Sequence, residues 1–327
     1  MNTIVIGLGS MGRRRIRLLQ KYDSTIRIIG VDSQEQRRVQ ATNELSIETC
    51  ESMETVSKIC KCEVAFICTS PLSHAELINQ CLLNEMHVFT EINLVTEGYQ
   101  KNIQTAKEKG KILFLSSTPM YRREMQWIKE QVYMQSMPVS YQYHVGNYLP
   151  DWHPWESYKN FFVCDSRTGG CREFMAIEFP WLIDTFGEVE KFNTIAAKTT
   201  SLNLEYDDTR QILLKHKNGN IGNIQIDVSS RKAERDFKCV GENIYVTWGG
   251  TPESLYAFDI EQKNDKKIML YEQSEHLSNY NKTIIEDAYY DEIVNFMDAI
   301  HKGSNTKYSF ERDAEILHLI DRIEGDK

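Results

Sequence analysis

The first 115 residues alternate between short apolar runs and polar, helix-compatible stretches. Ile4, Val5 and Ile6 form the first run, and a helix-like segment rich in Arg and Leu follows after a glycine turn. Ile26, Ile28, Ile29 and Val31 form the second run, followed by a polar helical stretch over 33–43. Residues 63–68, 87–90 and 111–115 read as further buried strands, with helices over 74–84 and 97–109 between them, the first capped by Ser73. Strands that alternate with helices across short loops predict a parallel, doubly wound α/β sheet.

The pattern changes after Tyr121. Residues 122–135 read as one helix ended by Pro138, and 139–148 as a strand. An aromatic loop follows, then a helical segment from Gly169-Gly170 to Thr185 that Pro180 should interrupt. Strands dominate from Val189. Residues 210–217 and 221–228 flank Asn218-Gly219, a hairpin signal, and Ile224, Ile226 and Val228 alternate with polar neighbours. That alternation predicts a sheet with one dry and one wet face. Further strands are expected near Phe237, Tyr245 and Tyr256, and two helices, over 287–301 and 311–323, close the chain. The fold class is therefore an N-terminal doubly wound α/β domain, residues 1–120, and a largely antiparallel α+β domain, 121–327, with the last helices expected to pack back on the first domain.

The glycine turn gives the first domain its chemistry. In Gly7-Leu8-Gly9-Ser10-Met11-Gly12, Gly7 permits the tight turn, Gly9 lets a diphosphate approach the backbone, and Gly12 lets helix and strand pack closely. The helix start offers N–H groups and a favourable dipole to phosphates. Asp32 stands twenty positions after Gly12, where an acid receives the ribose hydroxyls of NAD. A carboxylate there repels a 2′-phosphate, so NAD is favoured; Arg37 and Arg38 keep NADP as the alternative. In a doubly wound sheet, ligands lie beyond the carboxyl ends of the strands. Thr69, Ser70, Pro71 and His74, then Glu91 and Asn93, then residues 116–118 fall there.

Net charge of −9 argues against nucleic acid or an anionic membrane as the principal partner. No run is long enough to cross a bilayer and the N-terminus enters a strand at once, which leads to a cytoplasmic expectation. The eight cysteines then read as reduced thiols, and Cys60-Lys61-Cys62 is not a paired metal motif, so no metal is expected. The basic cluster Arg13, Arg14, Arg15 and Arg17 is either a phosphate aid or a solvated face. The open sheet face, if uncovered, would leave a large exposed patch, which favours a homodimer or homotetramer.

These residues resemble the Gfo/Idh/MocA oxidoreductases. The resemblance rests on the glycine turn, on Cys68-Thr69-Ser70-Pro71 with His74, and on His87-Val88-Phe89-Thr90-Glu91. Met120-Tyr121-Arg122 and the closing pattern around Phe296, Ala299, Ile300 and Gly303 support it. It implies a Rossmann domain, a sheet domain, NAD or NADP, and a sugar, nucleotide-sugar or cyclitol substrate, with surface glycan synthesis as one setting.

The chain departs from the family where the proton moves. The family's Glu-Lys-Pro is here Glu91-Ile92-Asn93, without the lysine. The Asp and His that follow the glycine pair have no histidine counterpart in Cys171 to Glu178; Glu173 and Glu178 lie near the expected place. Hydride transfer at an alcohol carbon needs a group for the hydroxyl proton, and the protein must supply it. Tyr121, His153 and Glu178 are the catalytic candidates. Arg122, Trp152, Trp155, Lys159 and Arg172 are the substrate-binding candidates: the tryptophans by stacking, the cations by holding a phosphate or carboxylate. The other readings are a dinucleotide-binding sensor or partner subunit without turnover, and a lyase or epimerase that cycles bound NAD.

Overall fold

The computed structural model describes residues 1–152, 157–277 and 281–325. Its contacts divide into two units: residues 1–118 with 289–315, and residues 119–288 with 316–327.

The first unit is built from β1 (Asn2–Ile6), α1 (Ser10–Tyr22), β2 (Arg27–Val31), α2 (Glu35–Leu45), β3 (Glu48–Cys50), α3 (Met53–Ile59), β4 (Val64–Ile67), α4 (His74–Leu83), β5 (His87–Thr90), α5 (Tyr99–Lys109) and β6 (Leu113–Leu115). The six strands are all parallel, in the order β3-β2-β1-β4-β5-β6. The direction of winding reverses between β1 and β4, which places the ligand crevice of such a sheet above those two strands. The elements expected from the apolar runs are present. The short β3 and α3 carry too few apolar positions to announce themselves. Ser73 does not cap α4: its hydroxyl donates to the Ser70 carbonyl at 2.7 Å, closing a 3₁₀ turn over Pro71–Ser73.

The second unit holds α6 (Arg123–Tyr133), β7 (Ser140–Gly146), α7 (Gly170–Phe186), β8 (Val189–Ala197), β9 (Thr209–His216), β10 (Ile221–Asp227), β11 (Glu234–Gly241), β12 (Ile244–Trp248), β13 (Leu255–Asp259) and β14 (Asn264–Lys267). Its eight strands run β14-β13-β12-β11-β7-β10-β9-β8, antiparallel except for the β7–β10 pair. The Asn218-Gly219 hairpin is present, with Gly219 at φ +94°. Pro180 lies inside α7 without ending it. Burial on nearly all sides outweighs a local penalty of about 3 kcal/mol.

The dry face of this sheet carries Tyr141, Phe237, Ile224 and Ile226, and Tyr141 stacks on Phe186 of α7 at 3.9 Å. The opposite face leaves Ile195, Leu213 and Ile221 at least half exposed. Two last helices follow, α8 (Glu286–Lys302) and α9 (Phe310–Glu324). Phe296 of α8 packs edge-on against Phe66, Phe89 and Phe114, one ring from each of β4, β5 and β6. Among the described residues, no helix is long and apolar enough to cross a membrane.

Candidate dinucleotide and proton-transfer sites

The glycine turn joins β1 to α1 above the β1–β4 crevice. Gly7 has φ +91°, and a Cβ there would lie 2.6 Å from the Cys68 carbonyl oxygen. A Cβ on Gly12 would fall 1.8 Å from the Gly7 carbonyl oxygen. Both glycines are thus required by the protein's own packing. Gly9 is not: its φ is −66°, and a Cβ there would meet no atom within 4 Å. The space above Gly9 is open, which fits a group outside the chain approaching the backbone. Gly9 is also the N-cap of α1, makes no side-chain cap bond, and is followed by a first turn without acidic residues. The residues present therefore fit a diphosphate, which residues 8–12 would hold through backbone N–H groups, and an adenosine ribose, which Asp32 would hold.

Asp32 is buried and fixed by the backbone. Its Oδ2 accepts the Leu8 N–H at 2.9 Å and its Oδ1 accepts the Gln34 N–H at 2.9 Å. Arg37 places Nη1 3.8 Å from Oδ2. Arg38 donates to the carbonyls of Asp32 and Ser33 at 2.8 and 3.0 Å.

The next two strand ends meet through His74. Its Nε2 lies 3.0 Å from the Thr69 carbonyl, and its Nδ1 lies 2.7 Å from Asn93 Oδ1 and 3.2 Å from Thr90 Oγ1. Burial lowers the ring below its ordinary value, so it stays neutral. Thr69, His74 and Asn93 are thus brought together, with Thr69 Oγ1 bonded to Ser73. Ser70 is exposed beside them and Pro71 is buried.

Glu91 differs from the expectation. It is committed to Arg15, whose Nε reaches Oε1 at 2.6 Å, and the same guanidinium meets Glu292 at 2.7 Å and Ser116 at 3.1 Å. Glu292 also accepts from Ser116 Oγ, the Ser117 N–H and Thr118 Oγ1. A buried Glu–Arg–Glu triad thereby pins the loop after β6. Within the basic cluster, Arg14 and Arg15 are thus no part of a solvated face. Arg14 and Arg15 are buried, Arg14 beneath the Tyr289 ring at 4.5 Å. Nothing local in the sequence announced this triad, because its third member lies 277 positions from Arg15.

In the second unit the proton-transfer candidates separate. Glu178 is fully buried. It accepts from Tyr143 at 2.8 Å and Trp181 at 2.7 Å and pairs with Arg235. Both of its carboxylate oxygens are engaged, and these contacts anchor α7 to the sheet. Tyr121 is buried at the end of a 3₁₀ turn. His153 and Trp155 lie outside the described residues.

Glu173, five positions before Glu178, sits on a different face of α7. Its Oε2 is shielded from solvent and has no hydrogen-bond partner among the described residues. Desolvation pushes this carboxyl up to about 8. Helical geometry carries the signal: 100° per residue turns Glu178 well away from Glu173, toward the sheet.

The substrate candidates are also largely committed elsewhere. Arg122 donates to Glu124 at 2.6 Å and to the Gly250 and Thr283 carbonyls. Arg172 pairs with Asp321 at 2.6 Å and with Glu324. Both cations are engaged by groups within the second unit. Lys159 is exposed in a 3₁₀ turn. Trp152 is half-buried, donates its indole N–H to the Asn147 carbonyl at 3.2 Å, and meets Phe174 edge-on. Cys60 and Cys62 bring their sulfurs to 3.9 Å, and no described group of His, Cys, Asp and Glu is arranged to hold a metal.

Comparison with known proteins agrees with this geometry. Residues 1–117 match the family described as oxidoreductase family, NAD-binding Rossmann fold. Human biliverdin reductase A is 28% identical over 135 residues, 39% of this chain and 44% of the relative. The chain thus matches less than half the length of its curated relatives. UDP-N-acetylglucosamine 3-dehydrogenase GnnA from Acidithiobacillus ferrooxidans superposes with a TM-score of 0.79 over 100% of this chain and 97% of that one, at 15% identity. The WlbA dehydrogenase from Bordetella pertussis, in complex with NADH and UDP-GlcNAcA, gives 0.78 over 99% and 94%, at 14% identity. At such identities the structural likeness establishes the fold. Residues 1–117 thus match the NAD-binding Rossmann domain of the Gfo/Idh/MocA oxidoreductases.

Proposed function

We propose that this protein transfers a hydride between a nicotinamide dinucleotide and a carbinol or carbonyl carbon of a sugar or nucleotide-sugar. The observation that carries the reading is the open space over Gly9 beside the fixed carboxylate of Asp32. A bound dinucleotide supplies the hydride chemistry; the chain binds, orients and handles the proton. The sugar class is supported by the structural neighbours, a UDP-N-acetylglucosamine dehydrogenase and a dehydrogenase in complex with UDP-GlcNAcA.

The proton is assigned to Glu173. It follows the glycine pair, as the family's acid does, and its shielded, unpartnered oxygen favours the neutral carboxyl. Held neutral near pH 7, it serves as a general acid toward a developing alkoxide and as a general base in the reverse direction. Asn93 and His74 shape the rim where the family's lysine would stand. The exposed Ile195, Leu213 and Ile221 support a homo-oligomer, which light scattering would read directly.

The test is consumption of NADH, followed by its absorbance, with keto-sugars and oxidised nucleotide-sugars, wild type against E173Q. Turnover by wild type and a loss of about 10²–10⁴-fold in E173Q is the expected result. Tight dinucleotide binding with no turnover on any such compound would favour a second reading, a dinucleotide-binding sensor or partner subunit, for which Ile92 in place of lysine is the motivating residue. Cofactor retained through purification, with net turnover but no net change in NADH, would instead point to a lyase or epimerase.

A further inference from the structure

Four of the eight cysteines gather in one part of the first unit. Cys50 ends β3, Cys60 follows α3, Cys62 leads into β4 and Cys81 lies in α4. Cys50 is within electrostatic reach of Cys60, and Cys81 of Cys62. The middle two are in contact: Cys60 Sγ and Cys62 Sγ are 3.9 Å apart, one thiol donating to the other sulfur. Cys60 caps the end of α3 with an extended backbone, φ −159° and ψ 160°. Extended chain turns residues i and i+2 to the same side, so the two sulfurs meet across Lys61.

The two thiols are not equivalent. Cys60 is partly exposed and Cys62 is buried. Burial pushes the Cys62 thiol up to about 12, with the Cys60 sulfur adding to the shift, so Cys62 keeps its proton. A thiolate at Cys60 then accepts the Cys62 S–H, and the Arg27 guanidinium is within electrostatic reach of both sulfurs. Glu48 holds Arg27 at 2.9 Å and offsets part of its charge, and Glu63 adds a negative charge near Cys62. Cys60 is thus placed as the nucleophile and Cys62 as the resolving thiol. One side of the pair is anchored: Asn2 Nδ2 donates to the Lys61 carbonyl, and the Glu63 N–H to the Asn2 carbonyl, both at 2.9 Å. On the other side α3 has seven residues, of which Val56 is buried. At about 3.3 Å per extended residue, the two Cα atoms stand about 6.6 Å apart, near the upper end of what a disulfide spans. Closure therefore draws the end of α3 inward, and a bond made under such strain is readily reduced.

We propose that Cys60 and Cys62 form a reversible dithiol–disulfide site whose reactant is a hydroperoxide. The Cys60 thiolate attacks one peroxide oxygen, the O–O bond breaks, and the other oxygen leaves and takes up a proton as water. Cys60 is then a sulfenic acid. The Cys62 sulfur attacks the Cys60 sulfur, the S–O bond breaks, and that oxygen leaves with the Cys62 proton as a second water. Two thiols lose two electrons and one hydrogen peroxide becomes two waters. The pair precedes the amino end of β4, whereas the glycine turn follows the carboxyl end of β1. In a parallel sheet these are opposite edges, so the dithiol is separate from the dinucleotide site and does not depend on that reading.

The test is hydrogen peroxide added to the full chain, with wild type, C60S, C62S and C62A, read by mass spectrometry of intact protein and of peptides without reductant. Wild type is expected to lose two hydrogens, to carry a Cys60–Cys62 bond within one chain, and to regain both thiols with dithiothreitol. C62S and C62A should stop at the Cys60 sulfenic acid, which dimedone labels at least about tenfold more than in wild type, where Cys62 consumes it. C60S should lose the two-hydrogen oxidation. Melting of each reduced variant reads any fold defect separately, and C60S alters a partly exposed position. The proposal is overturned by wild type that loses no hydrogens, by a bond that maps to other cysteines or joins two chains, by equal dimedone labelling of wild type and C62S, or by oxidation that dithiothreitol does not reverse.

Discussion

Asp32 accepts the backbone N–H of Leu8 at 2.9 Å, so the acid at the end of β2 and the middle of the glycine turn form one rigid piece. The bond explains how a residue twenty positions beyond the turn is held in register with it. Replacing Asp32 with Ala removes the side-chain acceptors of two backbone N–H groups at once. D32A is expected to lose about 1–3 kcal/mol of stability, because the Leu8 N–H is left buried without a partner. It should also lose dinucleotide affinity by about tenfold or more. Thermal melting and an NADH titration on the same sample check both.

Gly9 and Gly12 make opposite predictions. The Gly9 site is empty of protein atoms and its φ suits any residue, so G9A should melt within a degree or two of wild type, about 0.5 kcal/mol at most. Its dinucleotide affinity should fall steeply, because the methyl group occupies the space the diphosphate needs. G12A drives a methyl into the Gly7 carbonyl and should destabilise the first unit by several kcal/mol whether ligand is present or not. Equal melting temperatures for the two variants would contradict this division of roles.

Arg15 lies between Glu91 and Glu292 with no exposure of its own. Burial drives the Glu292 carboxyl upward, and Arg15 opposes that shift. Removing the cation in R15M strands two buried carboxylates, at a cost of about 3–5 kcal/mol. The double variant R15M/E292Q should recover part of the loss, and chemical denaturation of both variants measures it. A recovery of zero would mean that Glu292 is held by Ser116, Ser117 and Thr118 alone.

Glu173 predicts a pH dependence whose sign is fixed by its shift. The folded value of about 8 lies above the ordinary 4.5, so the folded chain keeps a proton that the unfolded chain has released. Stability from this group is therefore full below about 4.5 and is lost as pH rises toward about 8. The difference in melting temperature, E173Q minus wild type, should grow across that interval in favour of E173Q. Reduction by wild type should fall above about pH 8 with the loss of one proton, and E173Q should lack that limb.

Much of the first unit was legible because its strands are continuous apolar runs between turn signals, as in β1, β4 and β5. The glycine turn and Asp32 were legible for the same reason, since their spacing is local. The side chains of α7 were not. Glu173 and Glu178 look equivalent in a linear reading, and only the helix phase together with Arg235 and Tyr143 from the sheet separates them. Arg172 and Arg122 read as candidate anion ligands, but Arg172's partners, Asp321 and Glu324, and the Thr283 carbonyl that holds Arg122 alongside its near neighbour Glu124, lie about 150 positions away. Tertiary pairing over such distances leaves no periodic trace. Pro180 misled for a related reason: packing on all sides of α7 overrode a local rule.

The central claim is that residues 7–12 and Asp32 hold a nicotinamide dinucleotide, and calorimetric titration of NADH into wild type and G9A tests it most directly. The account predicts one saturable site per wild-type chain and a large loss of that heat in a G9A protein that melts normally. No heat with wild type, for NADH and NADPH alike, or identical binding by G9A, would contradict it.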